Sequence, residues 1–150
     1  GQDEARWLGW LNVGESRREE VAALQRFAGE VRAAGFEHAL LLGMGGSSLC
    51  ADVLVSVYGK TVGFPRLRVL DSIDPRQVRR FASQIDPRRT LFIASSKSGT
   101  TLETLLLTEF FLGELKKQVG KDAVGAHFAV VTDPGTPLQE LAQKEGFRWV

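Results

Sequence analysis

Short unbroken apolar runs alternate along this chain with longer segments in which apolar residues recur every three or four positions. Leu91, Phe92, Ile93 and Ala94 form one such run, His38 to Leu42 and Phe128 to Val131 form two more, and Leu67 to Leu70, closed by Asp71-Ser72, is a further strand candidate. Runs of this length without polar alternation predict strands buried on both faces. Phe147 to Val150 predicts the beginning of a fifth strand. Between them, Ser16-Arg17-Arg18-Glu19 spells a capping box, and Val21, Leu24, Phe27, Ala28 and Val31 keep helical spacing until Gly35, which predicts an amphipathic cover helix. Leu49 to Tyr58 predicts a second helix. Asp74 as N-cap with Pro75 behind it starts a third, to about Gln84, and Thr136-Pro137 starts a last one that runs through Lys144 to Gly146.

The helix from Thr101 to about Lys117 carries more apolar residues than one stripe needs: Leu102, Leu105, Leu106, Leu107, Phe110, Phe111, Leu112 and Leu115. It is expected to bury a second face against another subdomain or a symmetric partner. Strands alternating with helices predict an α/β fold, a three-layer α/β/α sandwich with about five parallel strands and right-handed crossovers. The flavodoxin-like strand order, 2-1-3-4-5, is the expectation for this class, and it puts the switch point, where ligands bind beyond the carboxyl ends of the strands, between the first and third strands. Residues 1–14, with Trp7, Leu8, Trp10 and Leu11, have little pattern and are expected to form an N-terminal arm anchored by its tryptophans. Residues 15–150 then form one domain.

Composition narrows the function more than the fold. Forty-three per cent apolar and 25% charged residues suit a globular domain with a core, and 19 Lys plus Arg against 18 Asp plus Glu leave a formal charge of +1. No global field attracts nucleic acid or an acidic membrane, so any anion site must be local. The arginines at 66, 68, 76, 79, 80, 88 and 89 lie on predicted helix faces and loops without interleaved aromatics, which predicts a solvated face and no nucleic-acid patch. The single cysteine, Cys50, excludes an internal disulfide, suits a reducing cytosol and is expected to be a small buried thiol. No run reaches the roughly 20 apolar residues that span a bilayer, and residues 1–4 lack a signal-peptide pattern, so a cytoplasmic location is expected. His38 and His127 each precede a strand and are expected at the surface of the amino edge; no metal-ligand spacing occurs, and no metal or other cofactor is expected.

The chemistry gathers where the first and third strands end. After Ala94 come Ser95-Ser96-Lys97-Ser98-Gly99, followed by Thr100 to Glu103, which spells the capping box of the next helix. A helix start offers N–H donors and positive dipole potential, Gly99 lets the backbone approach a ligand, and the hydroxyls and Lys97 add further donors. A lysine at the positive end of a helix is unfavourable unless an anion lies between them. After Leu42 the chain runs Gly43-Met44-Gly45-Gly46-Ser47-Ser48, a partial glycine fingerprint that could equally be a structural turn. Asp71, ending the second strand, could imitate the acidic ribose ligand of a dinucleotide fold, which keeps that reading open. It leaves the second loop unexplained, and no Walker A order is present.

Taken together the two loops resemble sugar isomerase (SIS) domains, whose phosphosugar loop S-x-S-G-x-T is matched by Ser96, Ser98, Gly99 and Thr101. More narrowly the chain is similar to the glucose-6-phosphate isomerases, with Gly43, Gly45, Gly46 and Ser47 on the G-x-G-G-S loop. Ser96, Lys97, Ser98, Thr100, Thr101, Glu103 and Thr104 fit the S-K-[ST]-x-T-T-x-E-T loop. Leu8-Gly9-Trp10-Leu11 and Asp71-Ser72-Ile73-Asp74-Pro75 resemble the isomerase half of bacterial bifunctional transaldolase/glucose-6-phosphate isomerase proteins. The resemblance implies that Ser47, Ser96, Lys97, Ser98 and Thr101 bind the phosphate of a sugar. Gly45, Gly46, Ser48, Gly99, Thr100 and Glu103 would support them, with Ser48 standing where many members carry an acidic residue. It also implies that the glutamate base, the ring-opening histidine and a further lysine come from later sequence. No catalytic residue is therefore expected within this chain, which reads as an SIS subdomain truncated from a longer isomerase and inactive alone. Its expected partners are a small-molecule sugar phosphate and a second SIS subdomain or a symmetric copy, with no nucleic acid and no membrane. A non-catalytic phosphosugar sensor of the SIS type is the alternative.

Overall fold

In the computed structural model, which describes Leu8, Leu11, Gly14 and residues 18–150, the elements follow in the order α1 (Arg18–Ala33), β1 (His38–Gly43), α2 (Gly46–Tyr58), β2 (Arg66–Leu70), α3 (Pro75–Ala82), β3 (Thr90–Ser95), α4 (Leu102–Val119), β4 (Phe128–Val131) and α5 (Pro137–Lys144). Trp7, Trp10 and Ser16, which carry the expectations of an anchored arm and a capping box, lie outside the described residues. The strands form one parallel sheet in the order β2-β1-β3-β4, the flavodoxin-like arrangement. Its register pairs His38 with both Arg66 and Thr90, Gly43 with Ser95, and Ser95 with Val131.

The expected fifth strand is reduced to a single parallel bridge between Trp149 and Ala129. The hydrogen bonds of its residues explain why. Phe147 N–H returns to the Ala142 carbonyl at the end of α5, and Arg148 N–H reaches the Gly125 and Phe128 carbonyls. Beside the Arg148 bond to Phe128, the segment joins β4 through the Trp149 carbonyl, which accepts from Val130 N–H at 2.9 Å.

Side chains alternate across the sheet. Leu40, Leu42, Phe92, Ala94, Phe128 and Val130 face Val78 of α3, Leu107, Phe111 and Leu115 of α4, and Leu138 and Ala142 of α5. The ring of Phe92 stacks on those of Phe111 and Phe128, each with centroids 5.0 Å apart. Burying each such ring contributes roughly 1.5–3 kcal/mol. On the other face Leu91 and Ala129 meet Val31 of α1 together with Phe27, Phe36, Ile93 and Trp149. A cavity of about 1050 Å³ lies on this second face between α1 and α2, lined among others by Phe27, Val31, Leu54, Tyr58, Leu91 and Ile93.

Several local expectations give way to tertiary context. Arg66 and Arg68 belong to edge strand β2, where Arg68 lies over the Phe81 ring at 4.5 Å and donates to Gln84 Oε1; charged side chains on an edge strand discourage pairing with another chain. Desolvation, then repulsion from Arg66 and Arg80, lowers the pKa of Arg68. Cys50 is exposed, because α2 buries only Ser48 fully and leaves most of its apolar surface open. On α4, Leu102, Leu106 and Phe110 stand four residues apart in an exposed stripe beside the buried one. No helix among the described residues is long and apolar enough to cross a membrane.

Candidate functional site

Because β1 and β3 are neighbours, the glycine loop and the serine–lysine loop leave the sheet side by side at its carboxyl edge. Contact between them is close: a Cβ on Gly43 would lie 2.9 Å from the Ser95 carbonyl oxygen and 3.2 Å from that of Ser47. Gly45 then turns the chain at φ +54°, a left-handed value that side chains disfavour, and α2 begins at once, three residues earlier than the apolar pattern predicts. Ser47 and Ser48 therefore sit in the first helical turn. Their amides return to the Met44 and Gly45 carbonyls, and Ser48 Oγ donates to the Gly45 carbonyl at 3.0 Å. Gly46, the first helical residue, has no intrahelical acceptor for its N–H, and no side chain caps this end.

The second loop brings another uncapped helix start. Thr101, not Thr100, is the N-cap of α4, and it makes no side-chain cap bond, so the expected capping box from Thr100 to Glu103 does not form. The reason is competition among hydroxyls. Ser96, buried, donates to Thr101 Oγ1 at 3.0 Å, while Ser98 Oγ and Thr100 Oγ1 bond each other at 2.9 Å. The first-turn N–H groups of α4, from Leu102 to Thr104, are left to whatever approaches from the crevice. Glu103 is half-buried in this turn, where a carboxylate suits the helix dipole. Lys97, Ser98 and Thr100 are exposed at the loop's crest, Ser47 and Thr101 are half-buried, and Ser48 and Ser96 are turned inward.

Three residues that the sequence pattern assigns only to a strand end and a helix cap belong to the same constellation. Ser96 N–H continues the sheet ladder to the Val131 carbonyl at 3.0 Å, and the Lys97 carbonyl then accepts from Asp133 N–H at 3.1 Å and Thr132 Oγ1 at 3.4 Å. Thr132 Oγ1 and Thr136 Oγ1 lie 2.8 Å apart. A Cβ on Gly99, whose φ is +65°, would meet Thr136 Cβ at 2.5 Å and Oγ1 at 2.6 Å. The signal for these residues is topological: β4 adjoins β3, so its following loop must adjoin the serine–lysine loop.

Asp71 and Ser72 follow β2 at the same edge, Asp71 exposed and Ser72 Oγ accepting from Asp74 N–H at 3.1 Å as part of the entry to α3. The histidines lie at the opposite, amino edge but are half-buried, with the Nδ1 atoms of both inside and without a hydrogen-bond partner. His127 meets Phe36 edge-on at 5.4 Å. Burial pushes its pKa down, Arg148 adds to the fall, and a hydrogen bond with the Thr90 backbone partly offsets both.

Beyond the adjacent ends of β1 and β3 the chain thus places two helix starts without side-chain caps, several hydroxyls and one lysine, all of them groups that favour an anion. Residues 19–145 match the family described as phosphoglucose isomerase. A glucose-6-phosphate isomerase of Thermus thermophilus is 35% identical over 144 residues, covering 94% of this chain and 33% of the relative. One from Carboxydothermus hydrogenoformans is 32% identical over 151 residues, covering 94% of this chain and 32% of the relative. Among solved structures, a hypothetical protein from Thermus thermophilus superposes with a TM-score of 0.79 at 36% identity, over 95% of this chain and 33% of that one. A glucose-6-phosphate isomerase from Chlamydia trachomatis superposes with a TM-score of 0.77 at 29% identity, over 89% of this chain and 25% of that one. The chain thus spans about a third of the length of the curated relatives it matches.

Proposed function

The chain belongs to the phosphoglucose isomerase family, and from that premise we propose that it is the sugar-phosphate-binding subdomain of a glucose-6-phosphate isomerase. One observation carries the reading: two uncapped helix starts and the loop that bears Lys97 follow the adjacent strands β1 and β3 at one edge of the sheet, and a phosphate is the ligand that both helix starts and a lysine charge favour together. Ser47, Lys97 and Ser98 contact the phosphate directly, with the N–H groups of Gly46 and of the first turn of α4. Ser96 and Thr101 hold each other and so fix the start of α4. Gly45, Ser48, Gly99, Thr100 and Glu103 shape the two loops.

Aldose–ketose isomerisation needs ring opening, a base that moves a proton between C2 and C1, and a group that stabilises the enediolate oxygen. Both histidines sit at the far edge of the sheet, and Glu103 is the carboxylate in the first turn of α4. As the family resemblance implies, proton transfer is assigned to residues outside this chain, supplied in a cytoplasmic enzyme by a second SIS subdomain or a symmetric copy that covers the stripe of Leu102, Leu106 and Phe110.

Calorimetric titration with fructose 6-phosphate, inorganic phosphate and NAD tests the binding half. Saturable binding of the first two, in competition with each other, is expected. Binding of NAD without either phosphate would reverse the assignment. A coupled isomerase assay on the chain tests the other half, with no turnover above background expected.

A further inference from the structure

The loop after β4 touches the serine–lysine loop at three places, and none of them is needed to build the sheet. After the last ladder bond, from Ser96 N–H to the Val131 carbonyl, the Lys97 carbonyl takes Asp133 N–H and Thr132 Oγ1. Thr132 has one hydroxyl proton. If it goes to the Lys97 carbonyl, the 2.8 Å contact with Thr136 must be donated by Thr136. Thr136 Oγ1 in turn accepts from Gln139 N–H at 3.3 Å in the first turn of α5. The hydrogen bonds then all run one way, from the start of α5 through Thr136 and Thr132 to the Lys97 carbonyl, and each polarises the next. Thr136 is buried and its Cβ occupies the space beside Gly99, so the loop rests against a fixed stop.

This chain of contacts has a consequence for the ligand. In a trans peptide the carbonyl and the following N–H point in opposite directions. Holding the Lys97 carbonyl towards the β4 loop therefore turns the Ser98 N–H away from it, and that N–H meets no acceptor among the described residues. We propose that Thr132 and Thr136 are positioning residues that orient the Lys97–Ser98 peptide so that the Ser98 N–H donates to the bound phosphate. The proposal rests on the sugar-phosphate reading above.

Thr136→Val also removes the cap of α5, so Thr132→Val and Thr132→Ser carry the test, each compared with the unaltered chain. The affinity for inorganic phosphate and fructose 6-phosphate falls roughly three- to tenfold in Thr132→Val, the span of one neutral hydrogen bond. It returns in Thr132→Ser, which restores the hydroxyl but not the methyl group. In amide NMR spectra, the Ser98 resonance moves on phosphate addition in the unaltered chain and in Thr132→Ser, and moves much less in Thr132→Val. A general loss of stability would not separate serine from valine at one amide. Equal phosphate affinity and an equal Ser98 response in all three proteins overturns the proposal while leaving the sugar-phosphate reading intact. Failure of the unaltered chain to bind either phosphate overturns both.

Discussion

Gly43 and Ser95 are paired across β1 and β3, and a Cβ on Gly43 would stand 2.9 Å from the Ser95 carbonyl oxygen. The two anion loops diverge from this contact, and it holds only while residue 43 has no side chain. Gly43→Ala should force the strand ends apart at a cost of about 1–3 kcal/mol, the range for overpacking a tight site. Urea unfolding measures that loss, and phosphate affinity should fall with it. An alanine variant of unchanged stability would mean that the loops yield without strain.

Lys97 stands exposed in the loop that leads into the positive end of α4. If the anion lies between them, Lys97→Ala removes a charge-assisted contact, and fructose 6-phosphate affinity should drop by roughly 1.5–3 kcal/mol. Calorimetry at constant ionic strength reads this directly. Unchanged affinity would remove Lys97 from the site.

Phe92 lies at the centre of the aromatic stack between Phe111 and Phe128 and is fully buried. Phe92→Ala leaves a cavity on the face that carries both α4 and α5, and should cost about 3–5 kcal/mol in chemical denaturation. The whole domain should unfold in one transition, because the ring joins the helices to the sheet.

His127 has a pKa below its ordinary 6.5, chiefly because burial disfavours its charged form. The unfolded chain therefore binds this proton more readily than the folded one. Stability from the neutral imidazole is fully present above about pH 6.5 and is lost as the pH falls from there through the lowered folded value. His127→Phe, which keeps the contact with Phe36, should flatten the fall in melting temperature as the pH drops below about 6.5. A variant with the same pH slope as the unaltered chain would assign that slope to other groups.

The stripe of Leu102, Leu106 and Phe110 should bring copies of the chain together at high concentration unless a second subdomain covers it. Light scattering should show a mass that rises with concentration and falls back to the monomer in Leu106→Glu. A strict monomer throughout would argue against this face as an interface.

Much of this molecule could be read in one dimension. Unbroken apolar runs marked β1, β3 and β4, because strands covered by helices on both faces have no polar side to alternate with, whereas edge strand β2 carries Arg66 and Arg68 among its apolar residues. Asp74-Pro75 and Thr136-Pro137 marked two helix starts, because those caps act within three residues. The same local logic misread Thr100 to Glu103. A capping box fits the sequence there, but Ser96 and Ser98 compete for the two threonine hydroxyls. Cys50 was misread for a similar reason, since an apolar helix need not be covered along its whole length.

What the sequence determined by itself was the class of fold, the order of its elements and the two loops rich in donors, all of which follow from the spacing of neighbours along the chain. Which loops lie side by side, that Thr132 and Thr136 reach back to Lys97 and Gly99, and that the fifth strand shrinks to one bridge were decided only in three dimensions. These depend on hydrogen bonds and van der Waals contacts between residues far apart in the chain, such as Lys97 with Thr132, or Gly99 with Thr136. Sequence spacing carries no direct record of such distances. The parallel sheet creates them when it sets β4 beside β3.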